Sequence, residues 1–289
     1  MFKNLSNKAQ GAIYMLIACI FASILVSIVK HLADQIHSTV IVFMRNLFSL
    51  IFFVPFLLKD YKKILGTKKI FHHFCRGANG SIVIMCWFYT ISILPLSTAV
   101  AINFLTPILT TIAAHWFLKE KVNNNIYFAC LISFVGVIVI LQPDFNKSIF
   151  IYAIPFLSVL LWVVSNLIIK TMTKTEKPQT IVAYMSIFML IFSVPFAIPH
   201  MQPISFINLF WLIILGFTSN LSHIYVAKAY SKTDLSILQP LDFSRLIFVS
   251  IIAFIFFDEK PTLNIFVGSG IILLALLLIS KKKQNLQGN

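Results

Sequence analysis

Residues 96–121, LSTAVAINFLTPILTTIAAHWFLKEK, and residues 235–260, LSILQPLDFSRLIFVSIIAFIFFDEK, decide how this chain is organised. Each is an apolar run of membrane-span length closed by a charged tripeptide, Lys119-Glu120-Lys121 in the first and Asp258-Glu259-Lys260 in the second. The two stretches are 139 positions apart, and the same shift carries Gly77 onto Gly216, Asn103 onto Asp242, Ala129 onto Gly268 and Gly136 onto Ala275. A shift of 140 carries Lys30 onto Lys170. A near-constant offset across four pairs of apolar runs reads as an internal repeat.

The rest of the chain has the same character. Of its 289 residues 59% are hydrophobic and 11% charged, against about 25% charged and 45–50% apolar in a soluble domain. Too little polar surface is left to face water, so the chain must face lipid. Apolar spans are expected near Gln10–Val29, Thr39–Leu58, Gly77–Leu94, Leu96–Leu118, Ile126–Leu141, Ile149–Ile169, Thr180–Ile198, Phe206–Tyr230, Leu235–Phe257 and Leu263–Ile279. Most approach the roughly 20 residues that cross a hydrocarbon core. Separation of the third from the fourth rests on Pro95, which ends a helix. The first span reads as uncleaved. Leu16-Ile17-Ala18-Cys19 matches a lipoprotein-type cleavage box, but the apolar run continues to Val29.

With the N-terminus cytoplasmic, 18 of the 23 basic residues fall in cytoplasmic segments, Arg76 among them, 3 fall in outer loops (Lys30, Lys147 and Lys260), and Arg45 and Arg245 stay inside spans. That asymmetry follows the positive-inside rule. It implies a multi-pass inner-membrane protein with both termini cytoplasmic. Five spans per half is an odd number, so the second half enters the membrane upside down relative to the first. The expected fold is therefore all-α integral membrane, ten transmembrane helices as two inverted five-helix repeats, residues 1–146 and 147–289. Carriers use such inverted repeats to place a site near the midplane.

The net charge of +14 sits in short loops rather than on one basic face, so no nucleic-acid partner is expected. Cys19, Cys75, Cys86 and Cys130 form no CxxC and have no histidine at metal-ligand spacing, which leaves them as small buried residues and implies no metal or cofactor. The chain has no HExxH and no GxSxG. With a single acid well inside a span, an intramembrane enzyme is not expected. A channel would not require an inverted repeat with buried opposite charges.

Charge at membrane depth is costly and marks candidate function. Asp242 lies well inside the ninth span, and Arg245 three residues on shares its helix face. The pair is either part of a substrate cavity, with Asp242 taking a proton, or a self-neutralised link between helices. Asn103 is the counterpart of Asp242 in the first half. Arg45 is either a cavity cation or a snorkelling base. On the eighth span Ser219, Ser222 and His223 share a face, and His223 is a candidate proton relay. Trp87, Tyr89, Trp162, Tyr184 and Tyr225 are mid-span aromatics suited to stack on a ligand. Asn166 and Asn220 complete the candidate cavity. Ala129, Ser133 and Gly136 form a small-residue row, partly repeated by Gly268 and Ala275, that reads as helix packing.

Phe104-Leu105-Thr106-Pro107, Gln239-Pro240-Leu241-Asp242-Phe243-Ser244-Arg245-Leu246 and the Glu-Lys closing the fourth and ninth spans resemble the drug/metabolite transporter superfamily, EamA branch, over nearly the whole chain. The resemblance implies an alternating-access carrier of a small-molecule substrate, embedded in the lipid bilayer. His73-Phe74-Cys75-Arg76-Gly77 is similar to the sub-branch that takes up S-adenosylmethionine and riboflavin. The expectation is a carrier of S-adenosylmethionine or a related amino-acid or nucleoside-like solute. Export of amino acids or other metabolites is the alternative, and homodimer formation is left open.

Overall fold

A computed structural model describes residues 5–94, 96–142, 149–257 and 262–281. Pro95, Asp144, Lys147, the Asp258-Glu259-Lys260 tripeptide and the terminal Lys3, Lys282 and Lys283 lie outside the described residues. The described chain is helical: α1 (Asn7–Ala33), α2 (Ser38–Leu65), α3 (Ile70–Ile93), α4 (Leu96–Asn103), α5 (Leu105–Leu118), α6 (Asn124–Leu141), α7 (Ala153–Met172), α8 (Pro178–Ala197), α9 (Phe206–Lys232), α10 (Leu235–Asp242), α11 (Ser244–Phe257) and α12 (Leu263–Lys281).

These twelve helices make ten crossings, because α4 with α5 and α10 with α11 each form one interrupted pass. Eight stretches among the described residues are long and apolar enough to span by length and composition. The third crossing carries His72, His73, Arg76 and Asn79 in its first half, which dilutes its apolar character. Polar side chains start several helices: Ser6 accepts from the N–H of Ala9 (3.3 Å) and Ser205 from that of Asn208 (3.3 Å), as N-caps do.

The packing obeys an approximate two-fold relation. Helix α1 lies along α9, and its counterpart α7 lies along α3; α2 meets α9 as α8 meets α3; α1 meets α10 and α11 as α7 meets α4 and α5. Helices α2 and α8 pair with each other, as do α6 and α12. Single residues repeat the pattern. A Cβ on Gly77 would strike Phe188, and one on Gly216 would meet Phe48 Cβ at 2.6 Å. Gly77 and Gly216 are 139 positions apart, and Phe48 and Phe188 are 140 apart. In both places the missing side chain lets an α2-type helix approach its neighbour. The predicted small-residue row seats α6 on α12, where a Cβ on Gly268 would lie 2.6 Å from the Gly136 carbonyl.

The bundle has a lysine-rich end, where α2 leads to α3 and α9 to α10, and an opposite end. The lysine-rich end is laced by buried polar contacts. Glu120 is not a simple end-of-span acid: it is buried, and its carboxylate accepts from the N–H groups of Leu235 (2.9 Å) and Ser236 (2.9 Å) and from the Ser236 hydroxyl (2.7 Å). It thereby neutralises the first turn of α10, where the helix dipole favours an anion. Lys170 does not snorkel outward. Its ammonium donates to the carbonyls of Tyr230 (2.7 Å) and Thr233 (2.5 Å), which terminate α9. Glu176 accepts from Thr67 (2.8 Å), tying the α7–α8 turn to the start of α3.

Candidate functional site

The two interrupted crossings meet. Helix α4 ends on Asn103 and α10 on Asp242, so the residues paired by the repeat both sit at a break. Local chemistry accounts for each interruption. Pro107 has no N–H to offer the Asn103 carbonyl. In the second half the Ser244 hydroxyl donates to the Leu241 carbonyl (2.7 Å), which also takes the backbone N–H of Phe243 where α10 ends. The residues at the breaks, Phe104 and Phe243, are buried and stack on one another, with ring centroids 5.7 Å apart and planes at 17°. They rest on Cys130, Val137 and Ile272 of α6 and α12.

Asp242 and Arg245 form an ion pair at 3.4 Å, each side chain a little over a fifth exposed. The Arg245 guanidinium also lies 5.3 Å from the Phe104 ring centroid, a cation–π contact that joins the halves. Cys19 of α1 donates to the Asp242 carboxylate (3.8 Å), and Ser23 donates to the Arg245 carbonyl (3.1 Å).

Two further arginines lie inside crossings, Arg45 on α2 and Arg76 on α3. Arg45 donates to the Asn46 side-chain oxygen (3.1 Å). Arg76 is buried and donates to the Met185 sulfur (3.5 Å), a weak acceptor. Arg76 therefore does not belong with the cytoplasmic loop bases. Gly80, one turn on, explains how it fits: a Cβ there would stand 2.7 Å from the guanidinium. This arginine-plus-glycine spacing was the available sequence signal, masked by the basic run before it. Each such charge costs about 3 kcal/mol at the centre of a spanning helix.

A buried hydrogen-bonded chain joins α10, α9, α7 and α5. Gln239 donates to the Tyr230 hydroxyl (3.3 Å), which donates to Asn166 (3.2 Å), and Asn166 donates to Thr110 (3.3 Å). Tyr230 and Gln239 were not evident as site residues in the sequence, because they follow ordinary span-end positions.

The other candidates are dispersed. Asn220 is fully buried and committed to Ser49, receiving its hydroxyl and donating to its carbonyl (2.7 Å). Tyr184 donates to the Leu65 carbonyl (2.8 Å) and stacks on His73 (4.4 Å) at the lysine-rich end. Trp87 packs with Leu94, Ile102 and Val159. Tyr89 is 49% exposed on the α3 face that also bears Phe71, Phe74 and Ile82. Tyr225 meets Tyr14 and Phe21, with the Lys228 ammonium 4.7 Å from its ring centroid. From the opposite end a shallow, mostly apolar cleft enters between α2, α3 and α8, lined by Thr39, Val42, Ser81, Met85, Met189 and Ser193 among others.

The family model for EamA-like transporters matches residues 9–142 and again 149–281. The chain belongs to the EamA-like transporter family. An S-adenosylmethionine uptake transporter of Rickettsia bellii is 30% identical over 259 residues, 88% of each chain. A riboflavin transporter of Brucella anthropi is 28% identical over 254 residues, covering 86% of this chain and 89% of that one. A solved crystal structure superposes with a TM-score of 0.83 at 12% identity, over 97% of this chain and 99% of the other, a likeness of fold. This EamA protein is thus a multi-pass membrane transporter of a small molecule, not an enzyme.

Proposed function

We propose that the protein is a secondary-active carrier working by alternating access, and that it moves S-adenosylmethionine or a similar amino-acid or nucleoside-like solute. The meeting of the two broken crossings carries this reading. Phe104 and Phe243 stack on the line relating the halves, with Asn103 and the Asp242–Arg245 pair beside them. Broken helices free polar backbone and side chains at membrane depth, where a solute exchanges water for protein. Asp242 is the proton-coupling candidate, with His223 of α9 as the second.

In this reading residues 1–146 and 147–289 rock against each other about that line. The lysine-rich end faces the cytoplasm, which places both termini there and the protein in the inner membrane. The names of the similar carriers support the solute class. Import or export then follows the gradients to which the carrier is coupled. The test is counterflow in proteoliposomes with a panel of labelled metabolites, with and without a pH gradient. Exchange of S-adenosylmethionine-like solutes is expected; exchange confined to unrelated solutes, or uptake insensitive to internal solute, would overturn the assignment.

A further inference from the structure

The charge-bearing break of the second half is held from the first half. Helix α1 packs on both α10 and α11. Where those two meet it places Cys19 and, one turn on, Ser23. The Ser23 hydroxyl is in reach of the Arg245 carbonyl (3.1 Å) and the Cys19 carbonyl (2.8 Å). The Cys19 thiol, 1% exposed, reaches two acceptors of α10: the Leu241 carbonyl (3.7 Å) and Asp242 Oδ1 (3.8 Å). The break of the first half is met differently. There Val159 of α7 packs with Ile102 and Leu105, an apolar contact.

The two oxygens of Asp242 are thereby divided between the halves. Oδ2 faces the Arg245 guanidinium of its own half at 3.4 Å. Oδ1 faces Cys19 of the other half. A proton added to this carboxylate goes to Oδ1, because the guanidinium favours the charged form at Oδ2. The Asp242 side chain is 22% exposed, so water can deliver that proton. A thiol carries one hydrogen and is a weak donor. It turns to Oδ1 while the carboxylate is charged, and to the Leu241 carbonyl once Oδ1 is protonated. A donor of this strength orients the oxygen without holding it in the charged form as firmly as a hydroxyl would.

Other titratable groups come from each helix packed on α10. Helix α9 brings Tyr230, bonded to Gln239, with His223 two turns before it. Helix α6 brings Cys130, which packs with Phe243. Helix α5 brings His115, whose Nδ1 bonds the Glu120 carbonyl at the far end of α10. Among these printed contacts, Arg245 and Cys19 are the groups that touch the Asp242 carboxylate.

We propose that Cys19 is a positioning residue for proton coupling: from the other half it holds Oδ1, the oxygen that takes the proton. Rocking of the halves then makes or breaks the Cys19 contact and so changes how readily Asp242 is protonated. By linkage, protonation of Asp242 biases the rocking in return. This deepens the reading of Asp242 as the coupling group and rests on it.

The test needs no solute. The infrared carboxylic-acid band of the full chain in detergent is titrated with pH, and the Asp242 component is the part lost in Asp242→Asn. Cys19→Ala removes a donor to the charged form, so the midpoint should move to higher pH by about half a unit or more. Cys19→Ser restores a donor and should return the midpoint to the wild-type pH or below it. If Cys19→Ala is not monodisperse, Cys19→Val fills the same space without a donor and should shift the midpoint in the same direction. Ser23→Ala is the control for loosened packing, since Ser23 meets only backbone: a lower unfolding temperature with the wild-type midpoint is expected. An unmoved midpoint in the Cys19 variants, an equal shift in Ser23→Ala, or an Asp242 band that never titrates overturns the assignment. Counterflow of S-adenosylmethionine with and without a pH gradient judges the coupling reading separately. Exchange indifferent to the gradient would sink coupling, whereas an unmoved band would sink only the role of Cys19.

Discussion

Phe104 and Phe243, 139 positions apart in the chain, stack at 5.7 Å where the two interrupted crossings pass each other. Each ring occupies the residue at which its own helix breaks, so the contact couples the geometry of one half to that of the other. Arg245 adds a contact from the second half to the Phe104 face. A buried aromatic of this kind contributes about 3–5 kcal/mol when truncated to alanine. Phe104→Ala and Phe243→Ala should each lower the unfolding temperature by a comparable amount, and the double variant should cost less than the sum, because both remove one shared contact. Additive losses in thermal unfolding would show that the stack does not couple the halves.

Asp242→Asn should abolish transport while leaving folded protein in the membrane. The amide keeps the shape but removes the charge that faces Arg245 at 3.4 Å. Size-exclusion profile and counterflow rate together check this. Wild-type rates in the variant would reduce the pair to a link between helices.

Glu120 holds the first turn of α10 through two backbone N–H groups and one hydroxyl. Glu120→Ala leaves those buried donors without an acceptor, at a cost of about 1–3 kcal/mol. A lower unfolding temperature is expected, with Glu120→Gln intermediate because its amide oxygen still accepts. An unchanged melting curve for the alanine variant would contradict the capping role.

Two glycines on α12 make an internal comparison. A Cβ on Gly268 would lie 2.6 Å from the Gly136 carbonyl, whereas one on Gly270 has nothing within 4 Å. Gly268→Ala should force α6 and α12 apart and destabilise the protein. Gly270→Ala should be neutral or stabilising by up to about 1 kcal/mol through helix propensity. Thermal unfolding of the two variants side by side decides the matter.

At the opposite end His37 stacks on His200 with centroids 3.8 Å apart, and its Nδ1 accepts from the N–H of Thr39 at the start of α2. Partial burial, then the neighbouring His200, hold the His37 imidazole below its ordinary value of 6.5. The unfolded chain therefore binds a proton more readily than the folded one. The contribution is present above pH 6.5 and is lost as pH falls below it. A small loss of stability between pH 7 and pH 5 is expected, reduced in His37→Asn, which keeps a capping acceptor and does not titrate. An identical pH profile for the variant would remove His37 as the cause.

Apolar runs, the lysine distribution and the 139-residue offset determined the helical membrane fold and its repeat, because lipid imposes a period and a length on every crossing. The equivalence of Asn103 and Asp242 was likewise legible, since a repeat maps position onto position. The partners of the polar residues were not. Asn220 answers to Ser49 on α2, Glu120 to the first turn of α10, and Arg76 to the Met185 sulfur on α8, 109 residues away. Helix periodicity states which face of a helix is polar, but the neighbour on that face is set by how ten crossings pack. That packing buried Arg76, read from the sequence as a loop base, against α8 and left Tyr89, a promising aromatic in the sequence, on the exposed side of α3.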